Sequence, residues 1–188
     1  TRQLYPQQPV KLIGNLPYSA AGEIMKNFTG IHSPISEAVL MLQKEVAARI
    51  CAELRTKDYG LLSLRMQSRW KPRILKNIGP ECFYPRPQID STVIQLQPRS
   101  PGELPVFDAR LLDSLMRRGF AQRRKQLRKG LGLEAEVWAA HAKELGISEQ
   151  ARAEELSLEE WVELARALDD HPLKDIPQKQ SELFDVVN

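Results

Sequence analysis

The positions of the short apolar runs constrain the fold of this chain most strongly. Three runs have strand character, Val10–Ile13, Glu37–Leu42 and the alternating segment Ser91–Gln97, and all three precede residue 98. Helical patterns lie between them, which predicts an α/β sheet. The cluster from Pro98 to Gly102 closes the last strand and predicts a domain boundary.

Apolar residues at helical spacing predict the other elements. Before the boundary they predict helices at Ala20–Phe28 and Lys44–Leu54 and an amphipathic segment at Leu61–Trp70. After it only helices are predicted, at Asp108–Arg118, Ala121–Gly130, Glu134–Leu145 and Leu158–Leu168. We therefore predict an α/β domain at residues 1–100, a helical domain at residues 101–168 and a tail at residues 169–188. The tail is expected to be disordered, with docking on a partner as the alternative.

The tetrapeptide Asn15-Leu16-Pro17-Tyr18 directly follows the first predicted strand. Ligands of α/β sheets collect beyond the carboxyl ends of strands, so this segment is predicted to lie where a substrate binds. Asn15 offers a carboxamide oxygen, and the rigid Pro17 lets the Leu16 carbonyl serve as a second acceptor. Tyr18 can stack on a planar base. These four residues are candidates for holding the amine of a base such as adenine, and an ordinary strand-to-helix turn is the alternative.

Phe83 is the second candidate in a base-binding site. Pro85 and Pro87 stiffen the backbone that follows it and hold that backbone extended. Phe83 could therefore form the wall of a base pocket opposite Tyr18. The structural alternative is that Phe83 fills the core and that the prolines protect an edge strand.

A cationic segment runs from Arg117 to Lys129. Seven of its thirteen residues are basic and none is acidic, while Phe120 and Leu127 recur on one predicted helical face with Leu131. Such a helix neutralises phosphates without reading much sequence, so we predict contact with RNA or DNA. The predicted nucleic-acid contacts are Arg117, Arg118, Arg123, Arg124, Lys125, Arg128 and Lys129.

Charge and composition agree with this interpretation. Residues 1–132 hold 22 Lys and Arg against 10 Asp and Glu, whereas residues 133–188 hold 5 against 14. A basic first part is typical of a nucleic-acid surface. No apolar run is long enough to cross a bilayer. The two cysteines, Cys51 and Cys82, form no zinc pattern and are expected to be reduced thiols in a cytoplasmic protein, and the three histidines have no metal spacing.

Taken together, the motifs resemble those of the small-subunit ribosomal RNA adenine N6,N6-dimethyltransferases. The resemblance extends to about Leu168 and rests on ordered blocks at Asn15–Tyr18, Met41–Ala47, Asp58–Ser63, Phe83–Ser91, Gln122–Arg128 and Glu154–Glu160. The related erythromycin-resistance methyltransferases of large-subunit rRNA usually carry Ile in place of Leu16. They are therefore the weaker resemblance.

The resemblance implies a fold and an activity. The fold would be an incomplete Rossmann-like methyltransferase domain followed by a small all-helical domain that docks on rRNA. A flipped adenine would be held by Asn15, Leu16, Pro17, Tyr18 and Phe83, and its amine would attack the methyl group of S-adenosylmethionine, which Asn15 also contacts. The implied partner is the immature small ribosomal subunit. We expect a monomer, no metal and no membrane association.

The chain departs from the family pattern at its beginning. Members of the family carry a basic arm, a glycine-rich G-x-G-x-G turn and an acidic ribose-binding residue, and none of these is found here. The resemblance thus implies that the N-terminal part of the cofactor domain is missing and that the sequence is a piece of a longer protein. The chain alone is expected to be inactive. The alternative to an enzyme is a non-catalytic module that binds rRNA or another nucleic acid, either as a fragment or in the manner of the transcription-factor relatives of this family.

Overall fold

A computed structural model of the chain describes residues 9–17, 21–28 and 33–169. Four strands and seven α-helices occur in this part of the chain. The strands are β1 (Val10–Asn15), β2 (Ile35–Gln43), β3 (Trp70–Ile78) and β4 (Ser91–Pro98). The helices are α1 (Ala21–Phe28), α2 (Lys44–Ile50), α3 (Leu61–Gln67), α4 (Ala109–Ala121), α5 (Leu127–Leu131), α6 (Ala135–Leu145) and α7 (Leu158–Ala167). The predicted tail falls outside the described residues except for Asp169.

The strands form one sheet in the order β1-β2-β4-β3. β1 and β2 are parallel, and β4 is antiparallel to both β2 and β3. The carboxyl ends of β1, β2 and β3 and the start of β4 therefore lie at the same edge of the sheet. The mixed α/β class predicted from the sequence is confirmed.

β3 is the strand that the sequence pattern did not predict. Of its nine residues only Trp70 is buried, at 3% exposure, and most of the others are exposed. A strand buried on neither face has no apolar alternation to detect. Pro72 lies within it, and proline is tolerated in a strand at the edge of a sheet, where β3 lies among the described strands.

By contact density the described residues form two compact units. Unit 1 comprises residues 9–17, 21–28, 33–52 and 65–99, and unit 2 comprises residues 53–64 and 100–169. The boundary near residue 100 falls in the Pro98–Gly102 cluster. Residues 53–64 group with the helices of unit 2 although they precede β3 in the chain.

Unit 2 has its own core, built around two tryptophans. Trp161 of α7 is fully buried, lies 6.1 Å from the ring of Phe120 and donates its indole N–H to the Ala153 carbonyl at 3.3 Å. Trp138 of α6 donates to the Glu149 carbonyl at 2.7 Å. The indole nitrogens are therefore satisfied inside an apolar core, as buried tryptophans require.

The predicted continuous helix Ala121–Gly130 is wrong. α4 ends at Ala121, residues 122–126 turn, and α5 begins at Leu127, whose N–H bonds to the Ala151 carbonyl at 2.8 Å. The backbones of α4 and α5 come close together, because a Cβ added to Gly130 would lie 3.1 Å from the Arg118 carbonyl. A straight helix could not bring Gly130 back against α4. The apolar stripe of Phe120, Leu127 and Leu131 thus belongs to two helices.

Candidate functional site

Asn15 ends β1 at the edge of the sheet where three strands finish. It pairs with Met41 of β2, and the next N–H, that of Leu16, donates to the Met41 carbonyl at 3.2 Å. Asn15 and Pro17 are exposed, whereas the Leu16 side chain is only 7% exposed. The backbone at Asn15–Pro17 is therefore anchored by the sheet, and the carboxamide faces solvent. Tyr18 falls outside the described residues.

Gly14 allows this arrangement by its lack of a side chain. A Cβ at Gly14 would lie 3.1 Å from Leu16 Cδ2 and 3.4 Å from Leu40 Cδ2. Leu16 therefore packs over Gly14 next to the carboxyl end of β1. This glycine serves core packing close to the exposed Asn15.

Phe83 lies in the segment that joins β3 to β4 at the same edge. A 3₁₀ turn at Pro80–Cys82 precedes it, and its N–H donates to the Pro80 carbonyl at 3.2 Å. Its backbone is extended, with φ −123° and ψ 149°, and its ring is half-buried. The structure thus brings Asn15, Leu16, Pro17 and the Phe83 segment to one edge of the sheet, with β2 and β4 between the ends of β1 and β3.

A polar clamp that the sequence analysis missed holds the Phe83 segment. The Lys44 N–H donates to the Asp90 carbonyl at 3.0 Å, and Lys44 Nζ lies 2.8 Å from Asp90 Oδ2. Asp90 therefore ties the end of the segment to the start of α2. Asp90 lies in the block Phe83–Ser91 that contributes to the family resemblance. The sequence did not indicate that Asp90 pairs with Lys44, because the two residues are 46 positions apart.

Three of the seven cations predicted to contact nucleic acid have partners within unit 2. Arg117 Nε lies 2.8 Å from Asp113 Oδ2, and that carboxylate is only 6% exposed. Arg118 donates to the Leu131 carbonyl, and its Nη1 atom is buried. Arg123 pairs with Glu154 and also donates to the carbonyls of Lys57 at 3.1 Å and Tyr59 at 3.2 Å. These three side chains are therefore held by carboxylates or carbonyl groups of unit 2.

The other four cations are differently placed. Arg124, Lys125 and Lys129 are exposed and Arg128 is half-buried. Among the described residues no carboxylate pairs with any of these four side chains. The turn at residues 122–126 and helix α5 thus present four cations that other groups in this part of the chain leave uncompensated.

Tyr59 completes the group of contacts around Arg123. Its side chain is 2% exposed, and its hydroxyl donates to the Leu156 carbonyl at 3.0 Å. Burial raises the pKa of Tyr59, and the charges of Glu159 and Glu160 raise that pKa further. The phenol therefore stays protonated as a buried donor. Tyr59 and Arg123 together fix residues 57–60 to the helices of unit 2.

Neither a metal centre nor a membrane segment is found in the described ranges. No group of three or more His, Cys, Asp or Glu side chains in these residues is arranged to hold a metal ion. No helix in this part of the chain is both long and apolar enough to span a bilayer. Cys51 and Cys82 are free, and burial raises the pKa of the Cys51 thiol to about 11.

The fold is shared with two solved structures. One is a dimethyladenosine transferase from Plasmodium falciparum, with a TM-score of 0.69 and 20% identity over 87% of this chain and 68% of that chain. The other is the 23S rRNA methyltransferase ErmE, with a TM-score of 0.65 and 21% identity over 87% of this chain and 67% of that chain. The sheet and helices thus define a Rossmann-like methyltransferase fold.

The sequence comparisons give the family. The profile of the ribosomal RNA adenine dimethylases matches residues 1–170, and the chain belongs to that family. A Nostoc protein named ribosomal RNA small subunit methyltransferase A is 36% identical over 169 residues, covering 86% of this chain and 62% of its own length. A Synechocystis protein of the same name is 42% identical over 165 residues, covering 84% and 58%. The chain therefore spans about three fifths of the length of these relatives.

Proposed function

We propose that this chain is the target-base and RNA-binding portion of an S-adenosylmethionine-dependent small-subunit rRNA adenine N6,N6-dimethyltransferase. The observation that carries the proposal is the exposed Asn15 at the carboxyl edge of the sheet, in a member of the ribosomal RNA adenine dimethylase family. The relatives named small subunit methyltransferase A support the small subunit as the substrate.

The proposed mechanism depends on two hydrogen-bond acceptors that the end of β1 holds at a fixed position. An adenine swung out of its stack would place its amine against the Asn15 carboxamide oxygen and the Leu16 carbonyl. Both acceptors bind the amine hydrogens, so they orient the nitrogen lone pair away from themselves and stabilise the positive charge that develops on nitrogen. Tyr18 and Phe83 would hold the faces of the ring. One proton then leaves the nitrogen to solvent, and a second round requires the pocket to admit the monomethylated amine.

S-adenosylmethionine would supply an electrophilic methyl group, and its sulfur would keep the electrons of the broken C–S bond and leave as a neutral thioether. The chain fits this cofactor only in part. Asn15 lies at the edge where it can contact both partners of the reaction, but the sequence has no glycine-rich turn, and Gly14 packs against Leu16 and Leu40. Asn15 is accordingly the single cofactor contact that we assign to this chain.

RNA affinity would come from the uncompensated cations of unit 2. Arg124, Lys125, Arg128 and Lys129 are placed to neutralise phosphates, and such contacts position the protein without reading sequence. Arg117, Arg118 and Arg123 would act indirectly by fixing α4, α5 and the turn between them. We further propose that the protein acts as a cytoplasmic monomer and needs no metal.

Two other functions are less well supported. Methylation of large-subunit rRNA has only the likeness to ErmE in its favour, and at 21% identity this shows the fold alone. A non-catalytic RNA-binding module would be consistent with the partial cofactor site. Neither alternative function agrees with the relatives that are 36–42% identical, because both of those relatives are named small subunit methyltransferases.

A methyl-transfer assay tests the proposal. The longest natural form that contains this sequence is incubated with radiolabelled S-adenosylmethionine and with either undermethylated small subunits or large subunits. We expect label in dimethyladenine of the small-subunit rRNA. Label in large-subunit rRNA alone would show that the large subunit is the substrate. The absence of label from both subunits would contradict the enzymatic function and favour the RNA-binding module.

A further inference from the structure

β3 presents its basic residues on one face of the sheet. Lys71 is paired with Gln97, Arg73 with Gln95 and Lys76 with Val93 of β4. These three β4 partners alternate along the strand, so their side chains lie on the same face, and paired residues of neighbouring strands share a face. The three cations, which we call the β3 basic face, therefore project from one side of the sheet.

A β-bulge produces this arrangement. Ile74 pairs with Ile94 and Lys76 pairs with the next β4 residue, Val93, so Leu75 is the extra residue. In a regular strand Leu75 would take the position opposite Val93, and Lys76 would lie on the face of the buried Ile94. Bulges re-aim side chains in this way. Charges and a proline can protect an edge strand, but such protection does not require three cations on one face.

The face is electropositive because its carboxylate is already neutralised. Glu37 is the acidic residue that the described strands contribute to this face, and its carboxylate lies 3.0 Å from Lys11 Nζ and accepts from Gln95 at 2.5 Å. Hydrogen bonds from Lys11 and Gln95 lower the pKa of Glu37. Arg73 and Lys76 are both exposed, and the segment from Arg65 to Ile78 contains no Asp or Glu. The charge of Arg73 and Lys76 is therefore available to an anionic partner.

The register relates this face to the candidate base site. Asn15 pairs with Met41, Met41 with Val93, and Val93 with Lys76, so one row of residues crosses all four strands. Three strand spacings separate its ends, a distance of roughly 14 Å. That distance corresponds to a few nucleotides of an RNA chain rather than to a remote binding surface.

We propose that the β3 basic face is a second RNA-binding surface, on which Arg73 and Lys76 bind backbone phosphates near the target adenine. The inference rests on the proposed function in taking RNA as the ligand, and it adds cations of unit 1 to the four uncompensated cations of unit 2. The charge complementarity of the face favours a phosphate backbone over an apolar or a basic protein partner. The contacts would position the RNA strand and carry no base specificity.

The salt dependence of binding tests this surface. The longest natural form is titrated with undermethylated small subunits at several salt concentrations, as wild type and as the double variant Arg73→Gln with Lys76→Gln. We expect the slope of log K against log salt to become shallower by about 1.4 to 1.8, since each lost phosphate contact removes roughly 0.7 to 0.9. The matched control is Lys57→Gln with Lys143→Gln, which removes two exposed lysines of unit 2 and should keep the wild-type slope.

A charge-conserving variant separates the geometry of the face from its net charge. The exchange Leu75→Lys with Lys76→Leu moves one cation to the bulge position, and we expect it to make the slope shallower by about 0.7 to 0.9. A wild-type salt slope in the double variant Arg73→Gln with Lys76→Gln would overturn the inference. An equally shallow salt slope in the control Lys57→Gln with Lys143→Gln would also overturn it. If wild type methylates small subunits in those same preparations, the proposed function survives that result. If wild type binds but does not methylate, the RNA surface survives and the enzymatic function fails.

Discussion

At the scale of single residues, Asn15 should matter for chemistry more than for binding. Asn15→Ala in the longest natural form removes one acceptor for the amine of the target adenine. Charge-assisted hydrogen bonds contribute about 1.5 to 3 kcal/mol, so kcat/KM for methyl transfer should fall roughly 10- to 100-fold. Affinity for small subunits, which phosphate contacts dominate, should stay within about twofold of wild type.

The control for this variant is Gln150→Ala, which removes an exposed carboxamide from a turn of unit 2. It should leave both methyl transfer and affinity unchanged. If Asn15→Ala lost affinity and methyl transfer to the same degree, Asn15 would be a binding residue and not part of the amine-holding site.

Arg123 and Arg124 are neighbours in the chain but should respond oppositely to substitution. Arg123→Gln breaks the pair with Glu154 and the bonds to the Lys57 and Tyr59 carbonyls, so the free energy of unfolding should fall by about 1 to 2 kcal/mol. Arg124→Gln should leave that free energy within about 0.5 kcal/mol and should make the salt slope of RNA binding shallower by about 0.7 to 0.9.

Urea unfolding and salt titration of both variants provide the two measurements. Glu154→Gln should destabilise like Arg123→Gln, and the double variant should cost less than the sum of the two single changes because the residues share one interaction. A shallower salt slope in Arg123→Gln without any loss of stability would make Arg123 a phosphate ligand.

At the scale of elements, the close approach of α4 to its neighbours depends on Gly119. A Cβ at this position would lie 2.7 Å from Trp161 Cη2 and 2.8 Å from Leu127 Cδ1. Overpacking of this kind costs about 1 to 3 kcal/mol, which exceeds the gain of about 1 kcal/mol in helix propensity from glycine to alanine. Gly119→Ala should therefore lower the free energy of unfolding, measured by urea denaturation.

Gly60→Ala is the matched control for the Gly119→Ala variant. A Cβ at Gly60 would meet Phe120 only at 3.9 Å, an ordinary contact distance, and we expect a change within about 0.5 kcal/mol. Equal stability of the Gly119→Ala and Gly60→Ala variants would show that α4 and α7 can shift apart at no cost.

The elements also show where sequence patterns succeed and fail. β1, β2 and β4 were predicted because more buried and less buried side chains alternate along most of each strand. β3 was missed because nearly all of it is exposed. The break between α4 and α5 was missed because Gln122–Gln126 have ordinary helical composition, and the turn is fixed by distant partners such as the Ala151 carbonyl.

At the scale of the whole molecule, the 188-residue chain by itself should not transfer methyl groups. It has the predicted acceptors for the adenine amine at Asn15 and Leu16, but its sequence has no glycine-rich turn for the methyl donor. In the radiolabel assay we expect no incorporation above background with undermethylated small subunits. The same chain should still bind those subunits with a salt-dependent affinity, because the cations of α5 and β3 are present. Measurable turnover by the chain alone would show that the cofactor is held by residues other than a glycine-rich turn.

The sequence alone determined the positions of β1, β2 and β4, the presence of the motif after β1 and the basic character of the segment at residues 117–129. These features depend on neighbours within a few positions, where spacing and residue type suffice. Only the tertiary structure decided which cations are available, because the partners of Arg123 lie 31 to 66 residues away. The bulge that sets the face of Lys76 is likewise defined by pairing with β4. Residue type thus indicated phosphate binding. Long-range contacts then decided which basic residues pair with groups of the protein and which remain available to RNA phosphates.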